Sequence, residues 1–267
     1  MKTILVTGAG AGIGLAATRL LCQSGHQVWG TSRTPDRLPS LPGLRRVALD
    51  LGDPGSVDRA AATVLAEAGV PDVLVNNAGS GRFGLLCDFD PDSLRREFEI
   101  LVQGPARLVN LLLPGMLARG LGTVINVTSL AARFPIPGLG PYSAAKAALA
   151  SLTRNWRIEC AGTGVRFLDL QPGDIDTQFR QSMTSVYADA DAMPEQAGRI
   201  YRELDKSFRR APGVEFAAQA LVRMLESDSD ASPRAVGDFF HSRLAPLGQR
   251  WLPASWIESA IRRIYRA

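Results

Sequence analysis

Residues 2–21 read Lys2-Thr-Ile-Leu-Val-Thr7, then Gly8-Ala-Gly-Ala-Gly12-Ile-Gly14, then Leu15-Ala-Ala-Thr-Arg-Leu-Leu21. The first stretch is typical of a short buried strand, the second of a tight turn, and the third of a helix. Backbone N–H groups at the start of such a helix favour a phosphate, and glycines allow its close approach. An ordinary glycine-rich turn is the alternative, but the strand before it and the helix after it favour a dinucleotide cradle.

Strands and helices alternate along the rest of the chain. Asp53-Pro54 is typical of a helix start, with Asp53 as N-cap, and this helix is predicted to end near Ala68. Such alternation predicts an α/β fold: a doubly wound parallel sheet of about seven strands, with helices on both faces, in a single domain. Further strands are predicted at 27–32, 44–49 and 72–76, at a stretch ending at Ser129, and at 164–170; further helices are predicted from Pro91 to about Arg119 and from Tyr142 to about Ala161.

We expect residues 1–240 to form the dinucleotide-binding domain, of the Rossmann type, including a substrate lid at about 176–212. Residues 241–267 are predicted to form a C-terminal helical extension. Its apolar side chains fall near helical spacing, with arginines among them, so an amphipathic helix is expected. Packing across the substrate pocket or onto a partner subunit is the favoured interpretation, and a membrane-surface anchor is the weaker alternative.

Composition excludes several classes of protein. The 267 residues are 46% hydrophobic and 21% charged, which is ordinary for a globular domain, and a net charge of +4 with scattered arginines argues against nucleic-acid binding. His26 and His241 have no partner at metal-ligand spacing, so no metal site is expected. Three widely spaced cysteines, and no signal-peptide pattern or apolar run as long as a membrane span, predict a cytoplasmic protein without membrane association.

A second motif carries chemistry. Tyr142 and Lys146 are four residues apart, which places them on one face of a helix, and Ser129 stands thirteen residues before the tyrosine. A free phenol has a pKa of about 10, and a neighbouring ammonium is expected to lower it towards neutrality. Ser129 can donate a hydrogen bond to the same substrate oxygen. The three side chains suit proton transfer to or from a carbonyl or an alcohol.

Together these motifs resemble the short-chain dehydrogenase/reductase family over essentially residues 3–240, and the flanking loops look most like its hydroxysteroid and retinol dehydrogenase branch. The family motifs appear in the family's order: Thr7-Gly8 through Gly12-Ile-Gly14, Asn76-Asn77-Ala78-Gly79, Ser129, Tyr142 with Lys146, Pro172-Gly173, and Thr177.

This resemblance implies a role for each motif. Tyr142 would be the general acid in reduction and the base in oxidation, Lys146 would tune it and hold the nicotinamide ribose, and Ser129 would polarise the carbonyl. Hydride would come from the nicotinamide ring. The residues implied in cofactor binding are Gly8, Gly12, Ile13, Gly14, Ser32, Arg33, Asp50, Leu51, Asn77, Ala78, Gly79, Tyr142, Lys146, Pro172, Gly173, Ile175 and Thr177.

One position departs from the family. Leu101 stands where the family has an asparagine that completes a catalytic tetrad. The leucine keeps the main-chain carbonyl that holds a relay water in the family, but it lacks the polar side chain. The proton relay is therefore expected to be weakened or rerouted, with Gln103 as a possible polar substitute. A cofactor-binding sensor or scaffold with weak or no turnover is the alternative function.

The residues at the end of the second predicted strand indicate which nicotinamide cofactor the chain prefers. An NAD enzyme of this architecture places a carboxylate there for the ribose 2′-hydroxyl, whereas this chain has Thr31-Ser32-Arg33. A guanidinium pairs with a 2′-phosphate, so NADP(H) is predicted, and a surface arginine without a ligand is the alternative. Reduction is the expected direction, with alcohol oxidation by the same residues as its rival.

The expected substrate is a small hydrophobic ketone or its alcohol. Residues 80–87 and 131–141 and the insertion after Pro172 are predicted to build the pocket, with Phe83, Leu85 and Phe179 adding apolar wall. The alternative is that these side chains only pack the core beneath the loops. The resemblance also implies a homodimer or homotetramer formed through the helices at 93–118 and 142–160.

Overall fold

The first βα unit has the form that residues 2–21 predict. The computed structural model describes residues 1–176, 183–189, 191–227, 229–230, 232–237, 248 and 251–267. Strand β1 (Thr3–Val6) runs into the glycine turn, and helix α1 begins at Gly12 and ends at Gln23. Gly8 adopts φ +70°, a left-handed conformation that favours glycine and lets the chain reverse between strand and helix.

Seven described strands form one parallel sheet: β1 together with β2 (Gln27–Ser32), β3 (Leu44–Ala48), β4 (Val73–Asn76), β6 (Gly122–Val127), β7 (Val165–Pro172) and β9 (Arg234–Val236). They lie side by side in the order β3-β2-β1-β4-β6-β7-β9. The chain reverses its direction of winding between β1 and β4, and the carboxyl ends on either side of that point meet at one edge of the sheet. Two further strands, β5 (Arg82–Phe83) and β8 (Thr184–Ser185), form a separate two-stranded sheet.

Helices cover both faces of the large sheet, so the predicted doubly wound architecture is confirmed. Helices α1 and α7 (Val214–Glu226) share one apolar core with the sheet. Helices α2 (Pro54–Ala68), α4 (Gly104–Arg119) and α5 (Gly140–Glu159) contribute to a second core on the opposite face. As predicted, Asp53 caps α2, and its carboxylate accepts the Gly55 backbone N–H at 2.9 Å.

The helical stretch Pro91–Arg119 is interrupted, which the sequence pattern did not predict. Helix α3 (Pro91–Phe98) passes into a π-helical turn at Glu99–Gln103 before α4 begins. This stretch is the one helix among the described residues with the length and apolarity of a membrane span. Leu108, Leu112 and Met116 lie in the second core, so packing against the sheet accounts for its apolar side chains.

A third apolar cluster lies over the carboxyl edge of the sheet. Helix α6 (Glu195–Arg210), within the predicted lid, supplies Ile200, Leu204 and Phe208. Helix α8 (Ala254–Tyr265), within the predicted C-terminal extension, packs against α6 and places Tyr265 in the same cluster. The described part of the extension thus packs against α6 and against this apolar cluster.

Candidate active site

The glycine turn forms one wall of a cleft of about 460 Å³ at the carboxyl edge of the sheet. A Cβ added to Gly8 would lie 2.9 Å from the Ala78 Cα, and one added to Gly14 would lie 2.3 Å from the Gly8 carbonyl oxygen. Helix α1 has no side-chain cap, so no N-cap side chain accepts a hydrogen bond from its first-turn N–H groups. The turn therefore offers backbone donors and a close approach to a pyrophosphate.

The motif Asn76-Asn77-Ala78-Gly79 stabilises that turn. The backbone N–H groups of Asn77 and Ala78 donate to the Thr7 hydroxyl at 2.9 and 3.0 Å. The Asn77 side chain donates to the Thr7 carbonyl at 2.9 Å. These bonds tie the end of β4 to the end of β1, across the point where the sheet reverses its winding. Asn77 and Ala78 thus fix the backbone conformation around Gly8.

Two guanidinium groups lie at the far end of the cleft. Arg33 follows β2, and Arg37 belongs to a short 3-10 turn after it; both line the cleft and both are exposed. The Ser32 hydroxyl accepts the Thr34 backbone N–H at 3.1 Å, which shapes the loop between them. Sequence reasoning missed Arg37, although its position four residues after Arg33 was a usable signal. Asp50 and Leu51, the predicted adenine contacts, also line the cleft.

Ser129, Tyr142 and Lys146 come together in the same cleft, where strand β6 ends and helix α5 begins. The Ser129 and Tyr142 hydroxyls are hydrogen-bonded to each other. The Lys146 ammonium donates to the Val127 carbonyl at 2.8 Å and lies 5.7 Å from the centre of the tyrosine ring. The geometry thus brings a phenol, a hydroxyl and an ammonium to one point, as the sequence predicted.

Burial dominates the electrostatics of this trio. It raises the pKa of Tyr142 to about 12, and the hydrogen bond from Ser129 offsets only part of that rise. Burial also lowers the pKa of Lys146 to about 8, against the opposing charges of Asp169 and Glu97. The expectation that Lys146 lowers the tyrosine pKa towards neutrality is wrong in this structure. Desolvation of the phenolate is the largest cause of the rise, and the charges of Glu97 and Asp174 add to it.

Another wall of the cleft is formed by the end of strand β7 and the residues that follow it. Pro172, Gly173, Asp174 and Ile175 line the cleft, and Gly173 is held by its N–H bond to the Val236 carbonyl at 2.7 Å. Thr177 and Phe179 lie outside the described residues. The remaining cofactor-site predictions can be located: Gly8, Gly12, Ile13, Ser32, Arg33, Asp50, Leu51, Asn77, Ala78, Gly79, Tyr142, Lys146, Pro172, Gly173 and Ile175 line the cleft, whereas Gly14 packs beneath it against Gly8 and Asn77.

Leu101 lies in the π-helical turn and is 1% exposed. A Cβ added to Gly79 would lie 3.1 Å from the Leu101 side chain and 3.5 Å from the Lys146 nitrogen, so both side chains lie against Gly79. Gln103, the suggested polar substitute, is exposed and does not line the cleft. The polar side chain that α3 does bury near Lys146 is Glu97, which sequence reasoning missed.

Beside Tyr142 the lining of the cleft is apolar: Ile136, Leu139 and Phe208 line it there, and we call this part of the cleft the apolar chamber. Phe83 is fully buried, and Leu139 and Phe208 pack in the same cluster; Tyr142 and Tyr265 contact its edge. Phe83, predicted as apolar wall, does not line the cleft but packs in the core beneath it, as the alternative interpretation had it. Among the described residues, no group of three or more His, Cys, Asp or Glu side chains could hold a metal ion. The site therefore consists of an anion cradle, a proton-transfer trio and an apolar chamber.

A family profile described as short chain dehydrogenase matches residues 2–188 of the chain. The chain belongs to this family. A 3-ketodihydrosphingosine reductase of Bacteroides thetaiotaomicron is 26% identical over 266 residues, covering 99% of this chain and 98% of that protein. Carbonyl reductase [NADPH] 2 of Sus scrofa is 33% identical over 233 residues, covering 85% of this chain and 90% of that protein.

Among solved structures, a short-chain dehydrogenase from Burkholderia cenocepacia J2315, crystallised in complex with NADP, aligns with a TM-score of 0.73. It is 26% identical, and the alignment covers 98% of this chain and 96% of that one. As a short-chain dehydrogenase, the protein is an oxidoreductase that uses a nicotinamide cofactor. The glycine cradle, which added Cβ atoms would fill, is consistent with the pyrophosphate of such a cofactor.

Proposed function

We propose that this short-chain dehydrogenase is an NADPH-dependent reductase that interconverts a hydrophobic ketone and its secondary alcohol. The observation that carries the proposal is the position of Ser129, Tyr142 and Lys146. They lie in the cofactor cleft, and Tyr142 also contacts the edge of the apolar chamber. A carbonyl held in that chamber would meet the tyrosine hydroxyl on one side and the cofactor cleft on the other.

The protein side chains would supply the proton and the orientation. When bound, NADPH supplies a hydride to the carbonyl carbon. Tyr142 gives its proton to the carbonyl oxygen, and its high pKa keeps that proton in place at neutral pH. Ser129 orients the same oxygen by donating a hydrogen bond. In alcohol oxidation Tyr142 would act in reverse as the base.

Cofactor contacts follow from the walls of the cleft. The turn from Gly8 to Gly14 would hold the pyrophosphate, Asp50 and Leu51 the adenine, and Asn77, Ala78 and Gly79 the adenosine side. Lys146 would hold the nicotinamide ribose, and the nicotinamide would lie against the segment after β7. That segment begins at Pro172, the last residue of β7, and continues through Gly173 and Ile175; Thr177, outside the described residues, follows in the sequence.

Preference for NADPH over NADH is supported by charge. Arg33 and Arg37 both line the cleft where a ribose 2′-phosphate would lie, and the position at the end of β2 is Ser32 rather than a carboxylate. Guanidinium groups form charge-assisted hydrogen bonds with phosphate, and a carboxylate would repel it. The name of the porcine relative specifies NADPH, and the Burkholderia structure was solved with NADP.

The substrate class is supported by the chamber. Its described walls are apolar and aromatic, which suits a steroid-, retinoid- or polyketide-like ketone better than a sugar. The Bacteroides relative, whose name specifies 3-ketodihydrosphingosine, matches almost the whole chain, including the part that forms the described cover. We further propose a cytoplasmic homodimer or homotetramer, with residues 1–240 as the catalytic domain and 241–267 as part of the pocket cover.

Turnover on a substrate panel tests this proposal. NADPH consumption is followed with cyclic and long-chain hydrophobic ketones, with a small polar sugar as control, and each assay is repeated with NADH. We expect turnover with NADPH on hydrophobic ketones and at least about tenfold lower kcat/KM with NADH, because the 2′-phosphate contacts are absent. Turnover only with NADH, or only on the sugar, would contradict it.

A cofactor-binding sensor is the second candidate, and Leu101 favours it because the tetrad asparagine is missing. The same panel separates the two. Tight NADPH binding without turnover on any ketone, or on any alcohol with NADP+, would support the sensor. Retention of Ser129, Tyr142 and Lys146 in one cleft favours the enzyme, because a sensor has no need of a proton donor beside an apolar chamber.

A further inference from the structure

Asp174 is a carboxylate in the cleft that none of the roles above uses. It lies two residues after the end of β7 and lines the cleft. Ser129 lies two residues after the end of β6, the strand beside β7, and its hydroxyl donates to the Pro172 carbonyl at 3.4 Å. Since neighbouring strands are about 4.8 Å apart, Asp174 leaves the sheet at the same end of the cleft as Ser129.

The Asp174 side chain is directed towards the cover of the cleft. Its carboxylate accepts a hydrogen bond from the Ser207 hydroxyl on helix α6. The residue after Ser207 is Phe208, which lines the apolar chamber. The carboxylate therefore lies between the floor of the cleft at Pro172 and the chamber wall at Phe208. In agreement with this position, the charge of Asp174 raises the pKa of Tyr142.

The charges that line the cleft are separated along its length. Of the described lining residues, only Asp50 and Asp174 carry carboxylates. Asp50 lies two residues beyond β3, five strand positions from β7, which is roughly 24 Å at the spacing of neighbouring strands. Lys146, the cation of the trio, is 4% exposed and donates to the Val127 carbonyl, whereas Asp174 is half-buried. The more accessible charge beside the trio is therefore negative.

This negative charge is unfavourable for a substrate that is apolar throughout. Such a ligand would displace water from the carboxylate without supplying a hydrogen bond in return, and that desolvation is costly. An ammonium on the ligand would replace the displaced water with charge-assisted hydrogen bonds. The apolar chamber could hold the rest of the ligand, because Ile136, Leu139 and Phe208 line the same end of the cleft.

We propose that the substrate is a hydrophobic ketone with a protonated amine within a few bonds of its carbonyl, and that Asp174 binds the ammonium. Ser207 is then a positioning residue, whose hydrogen bond holds the carboxylate in place. This inference rests on the proposed reductase function and deepens it by naming the polar head group of the substrate. Ser129 and Tyr142 keep the roles given above.

The kinetic test compares two ketones that differ only in the amine: decyl aminomethyl ketone and decyl methyl ketone. With NADPH at pH 7, we expect the wild type to show at least about tenfold higher kcat/KM for the amino ketone. In Asp174→Asn this preference should disappear, because asparagine can still accept from Ser207 but has no charge. The KM for the amino ketone should rise, and the methyl ketone should gain in kcat/KM because it no longer covers a carboxylate.

Asp176→Asn is the matched control on the same segment. Asp176 is exposed and does not line the cleft, and its backbone N–H donates to the Pro212 carbonyl at 2.9 Å. This variant removes one negative charge, as Asp174→Asn does, and should leave the preference for the amino ketone unchanged. The Kd for NADPH should be unchanged in both variants, because the glycine cradle and Arg33 are untouched.

Binding of unreactive ligands tests the same contact without requiring turnover. Octylamine and octanol share one alkyl chain and differ in the head group, and octylamine is protonated at pH 7 because an alkylammonium has a pKa of about 10.4. Isothermal titration calorimetry on the NADPH-bound protein should show octylamine binding at least about tenfold more tightly than octanol. Asp174→Asn should remove this difference, and Asp176→Asn should retain it.

Equal kcat/KM values for the two ketones in the wild type would overturn the inference. So would a preference for the amino ketone that survives in Asp174→Asn, or a loss of NADPH binding in that variant, because the carboxylate would then serve the cofactor. If the wild type reduces no ketone at all, the proposed reductase function fails, and calorimetry alone decides whether Asp174 binds an ammonium. Equal affinities for octylamine and octanol would overturn the inference in that case too.

Discussion

Burial is the largest influence on the pKa values of Tyr142 and Lys146. The pKa of the phenol rises to about 12 and that of the ammonium falls to about 8, so near neutral pH the tyrosine holds its proton. A protonated phenol is a ready donor for carbonyl reduction, whereas alcohol oxidation needs the phenolate. The oxidation rate is therefore expected to depend more strongly on pH than the reduction rate.

Arg33 carries the prediction for cofactor choice. In Arg33→Ser the Kd for NADPH should rise about tenfold while the Kd for NADH stays unchanged, because a charge-assisted hydrogen bond to phosphate is worth about 1.5–3 kcal/mol and part of it passes to Arg37. Fluorescence titration with both cofactors measures the two constants.

The control for this titration is Arg45→Ser, an exposed arginine on β3 that does not line the cleft. It should bind both cofactors as the wild type does. An equal loss of NADPH and NADH binding in Arg33→Ser would mean that the guanidinium only shapes the loop, and the charge argument would then be wrong.

Among the elements, those that build the cleft were largely predictable because each motif follows a strand of the parallel sheet. Gly8 follows β1, Asn77 follows β4, and Ser129 follows β6, and the carboxyl ends of parallel strands meet at one edge. Periodicity and turn residues locate those strands. Strand β9 (Arg234–Val236) is too short to be predicted from its sequence pattern, and only its pairing with β7 defines it.

The residues that sequence reasoning missed come from helices that tertiary packing brings to the cleft. Glu97 belongs to α3 and lies in no motif typical of a site; Tyr265 lies on the amphipathic tail helix that the sequence predicted, but its particular contact was not predictable. Asp174 accepts a hydrogen bond from Ser207 on α6, which links the cleft to its cover across many residues. Contacts of this kind depend on how helices cross the sheet, which local patterns do not specify.

Helix α8 carries the prediction for the pocket cover. Tyr265 packs against the apolar cluster that backs the cleft, and an ion pair between Arg266 and Glu203 at 3.4 Å joins the end of α8 to α6. In Tyr265→Ala the KM for a large hydrophobic ketone should rise about tenfold while the Kd for NADPH stays unchanged, because loss of the ring loosens the apolar cluster, to which Leu139 and Phe208 of the cleft lining belong. Steady-state kinetics and cofactor titration measure the two effects.

Trp256→Ala provides the control on the same helix, because Trp256 is 66% exposed and not part of the chamber. It should leave the KM for ketone unchanged. A rise in KM for Trp256→Ala equal to that for Tyr265→Ala would indicate that α8 acts through its fold as a whole, and the specific role of Tyr265 would be lost.

For the whole molecule, the helices of one sheet face leave apolar side chains uncovered. Leu111 and Leu117 on α4 and Ile158 on α5 are exposed, with Ile158 at 68%. We predict a dimer or tetramer by analytical ultracentrifugation, and Ile158→Arg should weaken association at least tenfold, because it places a charge in a desolvated interface. Arg19→Glu, on α1 at the opposite face of the sheet, should leave association unchanged. A monomeric wild type would contradict the assembly.

The central claim is that Tyr142 donates the proton in an NADPH-dependent ketone reduction, and Tyr142→Phe tests it most directly. The rate of NADPH consumption with the best ketone should fall about a thousandfold or more, within the range typical of a lost general acid. The Kd for NADPH should stay within about twofold, because the glycine cradle and Arg33 are untouched. A variant that reduces the ketone at the wild-type rate would contradict the account.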